Sequence, residues 1–409
     1  MINELFKKEY QESLEISEDW LQSLKSNSWD NLNKNRWPTF RKDENWRYTN
    51  PELFFKDIDF NSKSNYLETD IEKFIMKDMI NIVIKDGKIY NKDLDDALDI
   101  SDIWNDKNRE LLENDKSGDN FKELNSALFN SGVVIRVKKD EKPKKAIHLI
   151  HVTDGSIFIK NIILLEKFSN ATILESIISK KDGVTELTNI STTILLEESS
   201  KLTHFKSELL KENHNSFSSM EIEQKKDSSY TNFYFTNGGK YTRNEIRVDL
   251  NEEGAETTLN GIYLLKDKYH NDNSTLINHF SPNTKSKQLY KGILDDSSHA
   301  IFDGKIIVHP DAQQVSSEQL NQNLVLNDKA RIESKPQLEI GADDVKCSHG
   351  TTIGQLDSRQ IFYFQSRGFS KEKAIEILSK AFINEMLKGI ENDIIKDYFS
   401  VLVELSFYK

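Results

Sequence analysis

Between Gly132 and about Ile340 the sequence is a long series of short β-rich runs, and no helix-length apolar pattern separates them. Examples are Val133–Val137, Ile147–Val152 and Thr257–Leu265. Because sheets built from βαβ units need a helix between consecutive strands, this pattern argues against them. A sandwich, a propeller and a solenoid remain. The length of the runs and the polar steps between them favour a β-helix.

Polar turn residues precede many of these runs in a repeated cadence. A serine recurs just before the predicted strand, as at Ser169, Ser200, Ser228 and Ser298. Such residues favour tight turns because their side chains form hydrogen bonds with the nearby backbone. The spacing of the steps is too irregular to establish a sequence repeat, so the β-helix prediction rests on strand length and on these turns.

The two ends of the chain have a different texture. All five tryptophans lie within about the first quarter, up to Trp104, and nearly all glycines follow it, which marks a domain boundary. Residues 3–27 carry apolar residues at helical spacing, and Asn81–Tyr90 is predicted to form a hairpin with Gly87 in its turn. Near the C-terminus, Ser370 and Asn392 are predicted to begin two amphipathic helices. We therefore predict a mixed helical domain (1–130), a β-helix core (131–345) and a helical domain (346–409).

The composition excludes several classes of protein. Charged residues make up 30% of the 409 residues and the net charge is -12, which argues against nucleic acid as a partner because phosphate binding needs clustered Lys and Arg. No run of about 18 apolar residues is present to cross a membrane, and the N-terminus lacks the apolar segment of a signal peptide. A single cysteine fits a reducing compartment. We expect a cytoplasmic protein.

The sequence contains no recognisable catalytic motif. A GxxxxGK[ST] loop is absent, so we expect no ATP to be bound by this chain, and neither GxSxG nor HExxH occurs. The acidic pairs Glu252/Glu253 and Asp295/Asp296 are adjacent in sequence, so their side chains would point to opposite faces of a strand. That arrangement disfavours the paired carboxylates of a polysaccharide-processing β-helix. We predict that the chain is not an enzyme.

The only cysteine, Cys347, stands two residues before His349. If this segment is a strand, both side chains face the same way. A thiolate and an imidazole suit soft or borderline metals, but two ligands do not close a tetrahedral site, so others would have to come from elsewhere. The alternative is a buried, inert cysteine beside a hydrogen-bonded histidine. His270, His279, His299 and His309 are predicted to be polar ladder residues on an exposed solenoid face.

The segment around Cys347 is similar to the C-terminal signature of the SufB/SufD family of iron–sulfur cluster assembly proteins, in its SufD-type form. The matching positions are Asp343, Asp344, Val345, Lys346, Cys347, Ser348, His349, Gly350, Thr351, Gly354, Asp357, Gln360, Phe362, Tyr363, Ser366, Arg367 and Gly368. Thr352, Ile353 and Phe369 depart mildly from it. The segment Glu44–Thr49, Arg243–Glu245 and Gly261–Tyr263 also resemble family segments.

The resemblance implies a fold and a function. It implies a right-handed parallel β-helix flanked by helical ends, in a non-catalytic scaffold subunit that pairs with SufB through the β-helix. The C-terminal helices would carry the SufC ATPase, with Phe382, Glu385 and Met386 as docking residues. Cys347 and especially His349 would contribute to a transient iron–sulfur cluster shared with SufB. The resemblance also implies that a flavin can bind to the assembled complex and that the isolated chain can form homodimers.

Three alternatives stay open at this point. A SufB-like paralogue is disfavoured by the single cysteine and by the KCSHG segment, where SufB has a Cys-Glu-His-type segment. A sugar-acting β-helix enzyme lacks suitable carboxylate pairs. A stand-alone binding solenoid, in which Cys347 is buried and inert, would leave iron–sulfur enzyme activity unchanged when His349 is replaced.

Overall fold

The computed structural model describes residues 2–15, 17–60, 71–85, 87–115, 118–153, 155–179 and 185–407. Their core is a parallel β-solenoid of about seven turns with helices at both ends, so the predicted fold class is confirmed. The strands are β1 Ile80–Lys85, β2 Lys88–Lys92, β3 Leu98–Asp102, β4 Val133–Val137, β5 Ile147–Thr153, β6 Ile157–Leu165, β7 Asn170–Ser179, β8 Glu186–Leu196, β9 Lys201–Leu209, β10 His214–Gln224, β11 Ser229–Thr236, β12 Tyr241–Leu250, β13 Glu256–Leu265, β14 His270–His279, β15 Lys285–Leu294, β16 His299–Val308, β17 Val315–Val325, β18 Arg331–Ile340 and β19 Val345–Gly354.

Successive strands alternate between two sheets. One sheet has the order β19-β17-β15-β13-β11-β9-β7-β5-β1-β2 and the other β18-β16-β14-β12-β10-β8-β6-β4-β3. The pairing is parallel from β4 and β5 onward, and equivalent positions lie in rows that run along the solenoid, as in Thr257, Ser286, Ser317 and Cys347. The residues of one row therefore occupy the same position in successive turns of the solenoid. The predicted domain boundary at 345/346 falls at the first residue of β19.

The polar cadence of the sequence corresponds to the turns of the solenoid. Phe168, Ser199, Asp227 and Asp296 adopt left-handed backbone conformations with φ of 62°, 57°, 55° and 53°. In each of these turns a following serine hydroxyl donates to the carbonyl three residues earlier, at 2.6–2.7 Å for Ser169, Ser200, Ser228 and Ser298. The serines thus satisfy backbone groups where the sheet ladder is interrupted.

The solenoid interior is aliphatic in its first turns and aromatic further along. Tyr230, Tyr263 and Tyr290 are fully buried between the sheets. Gly261 lies in register with Tyr290, and Gly292 with Tyr263. A Cβ at either glycine would overlap the opposite ring, so glycine is required there by close packing.

Charged side chains also lie inside the solenoid. The carboxylate of Glu175 is 3.5 Å from Nε2 of His151 and 3.3 Å from Nε2 of His204. Burial alone would raise the pKa of Glu175, but hydrogen bonds from the two histidines and the charge of Lys206 hold it well below its usual range. Lys206 in turn lies 3.2 Å from Glu208. This cluster is charge-paired, as buried ions require.

The N-terminal helices form an aromatic core against the first turns. The helices are α1 Ile2–Leu5, α2 Lys7–Glu15, α3 Asp19–Lys34, α4 Arg109–Glu113 and α5 Asn120–Leu128. The rings of Trp46 and Phe121 are stacked with their centroids 5.1 Å apart, and the Arg243 guanidinium lies 4.2 Å from the centroid of the Trp46 ring. The hydroxyl of Thr49 donates to Asp272 at 2.5 Å and lies 2.9 Å from Nε2 of His270. The Glu44–Thr49 segment thereby joins the N-terminal region to the solenoid.

Three helices follow the last strand: α6 Ser358–Ser366, α7 Lys371–Lys388 and α8 Asp393–Phe407. Ser370 caps α7 by accepting from the Lys373 amide, and Asn392 accepts from the Ile395 amide, so both predicted starts are confirmed. The last two helices pack along the flank of one sheet. Their buried residues Ile383, Met386 and Phe399 cluster with side chains from six strands of that sheet: Leu174, Phe205, Phe233, Ile262, Ile293 and Leu324.

Two sequence-based expectations need correction. His270 and His279 were expected on an exposed face, but they are 8% and 0% exposed. His270 lies 2.9 Å from the Thr49 hydroxyl, which is distant in sequence, and His279 lies 2.9 Å from the Ser286 hydroxyl on the other sheet. Burial lowers the pKa of His270 to about 3 and that of His279 to about 4. Strands β3 and β10 and helix α6 were not predicted. No helix in the described part of the chain is long and apolar enough to span a membrane.

Candidate functional site

Cys347 and His349 lie on β19, the last strand of its sheet. Because this segment is a strand and the two residues are two positions apart, their side chains point to the same face. Cys347 is in register with Ser317, and His349 is in register with Gln319. Cys347 also packs against the interior core, so this shared face is the one that lines the inside of the solenoid in earlier turns.

Each of the two residues ends a row of polar interior side chains. In one row the Ser286 and Ser317 hydroxyls are 2.8 Å apart, and Cys347 takes the next position. In the neighbouring row the Gln319 amide donates to Gln288 at 2.7 Å, and His349 takes the next position. The change from hydroxyl and amide to thiol and imidazole thus occurs at the last turn, in two adjacent rows.

The last turn has no further turn over it in the described chain. Strands β18 and β19 are the terminal strands of their sheets, and their interior-facing positions are half-buried or exposed, whereas the same positions one turn earlier are buried. Ile340 is 47% exposed and Ile353 is 55% exposed. A sheet edge with exposed apolar side chains is a surface suited to pairing with another chain. We call β18 and β19 together the open end.

A hydrogen-bonded chain leads from the interior to the open end. The Asn321 amide donates to the Tyr263 hydroxyl at 3.0 Å. Asn321 accepts from Ser334 at 2.7 Å, and Ser334 accepts from Thr351 at 2.8 Å. The polar interior of the last turns is therefore continuous with the face that carries His349.

The electrostatics at Cys347 favour the neutral thiol in the isolated chain. Partial burial raises the pKa of the Cys347 thiol above its ordinary value. Among the described residues, no group of three or more His, Cys, Asp or Glu side chains is placed to hold a metal ion. What the open end offers is a thiol and an imidazole on one accessible face, to which a second protein could add ligands.

The three predicted docking residues on α7 differ in accessibility. Met386 is 6% exposed and packs between the helices and the sheet. Phe382 is half-buried; its carbonyl accepts from Lys291 at 3.0 Å, and its ring lies 5.0 Å from the same ammonium. Glu385 is 83% exposed and lies 3.4 Å from Lys291. Of the three, Glu385 is the side chain available to a partner.

Sequence reasoning did not predict that several apolar residues near the open end and on the last helix are exposed. Phe362 and Tyr363 on α6 are 71% and 55% exposed, and Val401 and Leu405 on α8 are 55% and 62% exposed. Val401 and Leu405 are four residues apart and share one face of α8. A helical pattern alone does not separate the stripe that packs on the sheet from a second stripe that faces outward.

Comparison with known proteins agrees with this architecture. Residues 148–382 match the family described as SUF system FeS cluster assembly, SufBD core domain. The chain belongs to the SufB/SufD family of iron–sulfur cluster assembly proteins. The matched region runs from β5 to the middle of α7 and includes both Cys347 and His349.

Individual relatives are similar over most of the chain. The iron–sulfur cluster assembly protein SufD of Escherichia coli is 28% identical over 367 residues, which are 87% of this chain and 86% of the relative. Protein ABCI7, chloroplastic, of Arabidopsis thaliana is 29% identical over 409 residues, with 92% and 84% covered. A SufBD family protein of Synechocystis is 32% identical over 284 residues, with 66% and 62% covered. The chain is SufD-like within its family, and the Escherichia coli and Synechocystis relatives are named as iron–sulfur cluster assembly proteins.

Proposed function

We propose that this chain is a non-catalytic scaffold subunit of a cytoplasmic Suf-type complex that assembles iron–sulfur clusters, and that a SufB-type subunit pairs with its open end. The observation that carries the proposal is the position of Cys347 and His349 at the ends of two interior rows, on a turn that nothing in the described chain covers. A SufB-type solenoid placed there would continue both sheets, because its strands would pair with the free edges of β18 and β19.

The nascent cluster is the cargo of such an interface, and its ligands would come from both subunits. Cys347 would supply a thiolate and His349 an imidazole, while SufB would bring the remaining thiolate ligands. A cationic cluster iron favours the thiolate over the thiol, which would offset the raised pKa of Cys347. A flavin on the assembled complex stays a prediction.

The second part of the proposal concerns the C-terminal helices. We assign the docking of the SufC ATPase to the outward face of α7 and α8, which carries Glu385, Val401 and Leu405. SufC would bind the ATP, and its dimerisation would pull on α7 and α8. Because these helices pack on six strands of one sheet, their displacement would reach the solenoid that holds the site.

Co-purification with the SufB-type and SufC-type proteins of the same host tests both assignments at once. Ile353→Glu places a charge on the open end and is expected to release SufB while SufC stays bound. Val401→Glu combined with Leu405→Glu is expected to release SufC while SufB stays bound. Leu94→Glu is the matched control, because Leu94 is 88% exposed in the loop between β2 and β3. Retention of both partners by both variants would refute the two surfaces.

The cluster site is tested separately by His349→Ala in cells. We expect a loss of iron–sulfur enzyme activity with both partners still co-purifying, because His349 is an exposed side chain and its removal leaves the strand intact. Unchanged activity together with normal complex formation would leave the scaffold in place but remove His349 from the site. The same outcome is expected of a solenoid that binds partners without a role in metal chemistry.

A further inference from the structure

A pocket lies where residues 40–48 cross the outside of the solenoid, on the side away from the C-terminal helices. It encloses about 500 Å³, a volume within the usual range for small-molecule sites. Its lining combines three arginines with aromatic and acidic side chains: Arg41, Arg47, Arg331, Tyr48, His299 and Glu333. Arg331 and Glu333 belong to β18 of the open end but lie at the start of that strand, on the face opposite its interior side chains. None of the lining residues belongs to the helical docking face.

One wall of the pocket is the outward half of the Glu44–Thr49 segment. Trp46 and Thr49 face the protein and are 6% and 1% exposed, so they hold the segment in place. Arg47 and Tyr48 face the pocket, with the Arg47 guanidinium 5.7 Å from the Tyr48 ring centroid. The buried half of the segment is accounted for by packing, whereas the outward half has no packing role.

The other wall includes His299 and Arg331, the last two members of a row of side chains at the start of four adjacent strands that begins with Tyr241 and His270. The rings of Tyr241 and His270 are 5.8 Å apart, and those of His270 and His299 are 4.9 Å apart in an edge-to-face arrangement. Arg331 takes the next place in this row and lines the pocket. The backbone of this wall is therefore held by the sheet ladder.

The charge balance of the pocket is positive in a chain whose net charge is -12. Among the described residues, neither Arg41 nor Arg47 nor Arg331 forms an ion pair within 4.0 Å. Glu44, which also lines the pocket, is paired with Lys335. Nε2 of His299 is buried without a hydrogen-bond partner in the described structure, and the nearest carboxylate oxygen, on Glu333, is 3.7 Å away.

We propose that this pocket binds a small phosphorylated ligand with an aromatic ring, of the mononucleotide class. Guanidinium groups match phosphate oxygens through paired N–H donors, and three of them are available. The exposed face of Tyr48 offers a surface on which a ring can stack. Glu333 can accept hydrogen bonds from ribose hydroxyls. Binding would use no P-loop and neither of the proposed cluster residues Cys347 and His349.

Isothermal titration calorimetry of the full-length chain tests this proposal with AMP, adenosine and inorganic phosphate as probes. We expect AMP to bind more tightly than either fragment, with an affinity that falls as salt is raised. Arg331→Gln is expected to weaken AMP binding about tenfold, the typical value of a charged hydrogen bond. Arg331→Lys should lose part of the affinity for AMP, because a lysine keeps the charge without the paired donors.

Arg359→Gln is the matched control, because Arg359 is a 90% exposed arginine on α6 that does not line the pocket. It is expected to leave AMP binding unchanged, and Tyr48→Leu to weaken AMP but not inorganic phosphate. Three results would overturn the proposal: no heat with AMP at millimolar concentration, equal binding of adenosine and AMP, or equal losses in Arg331→Gln and Arg359→Gln. Unchanged circular dichroism spectra confirm that each variant is folded.

Discussion

Tyr263 on β13 lies opposite Gly292 on β15, and its ring occupies the space in which a side chain at residue 292 would begin. Gly292→Ala is therefore expected to destabilise the fold by about 1–3 kcal/mol, because the added methyl group must displace a fully buried ring. Gly354→Ala is the control, since no heavy atom lies within 4 Å of a Cβ built at residue 354. Urea unfolding measures both, and equal stabilities would contradict this packing.

The hydroxyl of Thr49 joins the N-terminal segment to the solenoid. Thr49→Val keeps the shape of the side chain but leaves the Asp272 carboxylate without this donor. We expect a loss of about 1–3 kcal/mol in the free energy of unfolding, the usual cost of an unsatisfied buried group. Thr352→Val, at an exposed position of β19, should change stability by less than about 0.5 kcal/mol. Similar losses in both variants would show that the hydroxyl contributes nothing specific.

Stability is expected to fall in acid partly through His279, whose pKa burial lowers to about 4. The unfolded chain takes up a proton at about pH 6.5, whereas folded His279 does so near pH 4, so the unfolded state binds more protons in between. The free energy of unfolding therefore decreases as pH falls from about 6.5 to 4. His279→Gln removes this titration and should reduce the decrease by up to about 3 kcal/mol. Identical pH profiles for the two proteins would rule this out.

The reactivity of Cys347 reports on its environment. Since burial raises the pKa of this thiol, less than about 3% of it is thiolate at pH 7. We expect iodoacetamide to modify it more slowly than free cysteine at pH 7, and the rate to keep rising above pH 9. Cys347 is the only cysteine, so the whole signal comes from this site. A rate equal to that of free cysteine would mean that the thiol is not shielded.

The isolated chain is expected to self-associate through its open end when no partner is present. Ile340 and Ile353 would be covered in such a dimer, so Ile340→Lys should raise the dissociation constant about tenfold or more. Leu94→Lys should leave it unchanged. Sedimentation velocity over a range of concentrations separates these outcomes. A dimer insensitive to the open end but broken at another surface would assign self-association elsewhere.

Much of the solenoid could be predicted because apolar residues recur on the inner face of most strands. Strand β10 shows why one strand escaped. Its inner positions include Ser216 and Ser218, whose hydroxyls bond to Glu208 and Lys206. A buried ion pair needs polar neighbours, so the strand that faces it loses the apolar alternation by which strands are found.

Some features of the candidate site could be predicted from the sequence and others could not. That Cys347 and His349 share a face follows from strand geometry and could be predicted. That the face is uncovered depends on α7 and α8 turning back along the flank, and no local pattern encodes this tertiary placement. The burial of Met386 has the same origin. His270 was placed wrongly because its partner Thr49 lies more than two hundred residues away in sequence.

Helices α7 and α8 also constrain the number of turns in the solenoid. Their apolar side chains meet a residue from each of six successive odd-numbered strands, from Leu174 on β7 to Leu324 on β17. A repeat deleted or duplicated within that span would shift every later strand by one inter-strand spacing of about 4.8 Å against a helix of fixed length. The helices thus act as a ruler that selects against gain or loss of turns, although the turns themselves would stack in any number.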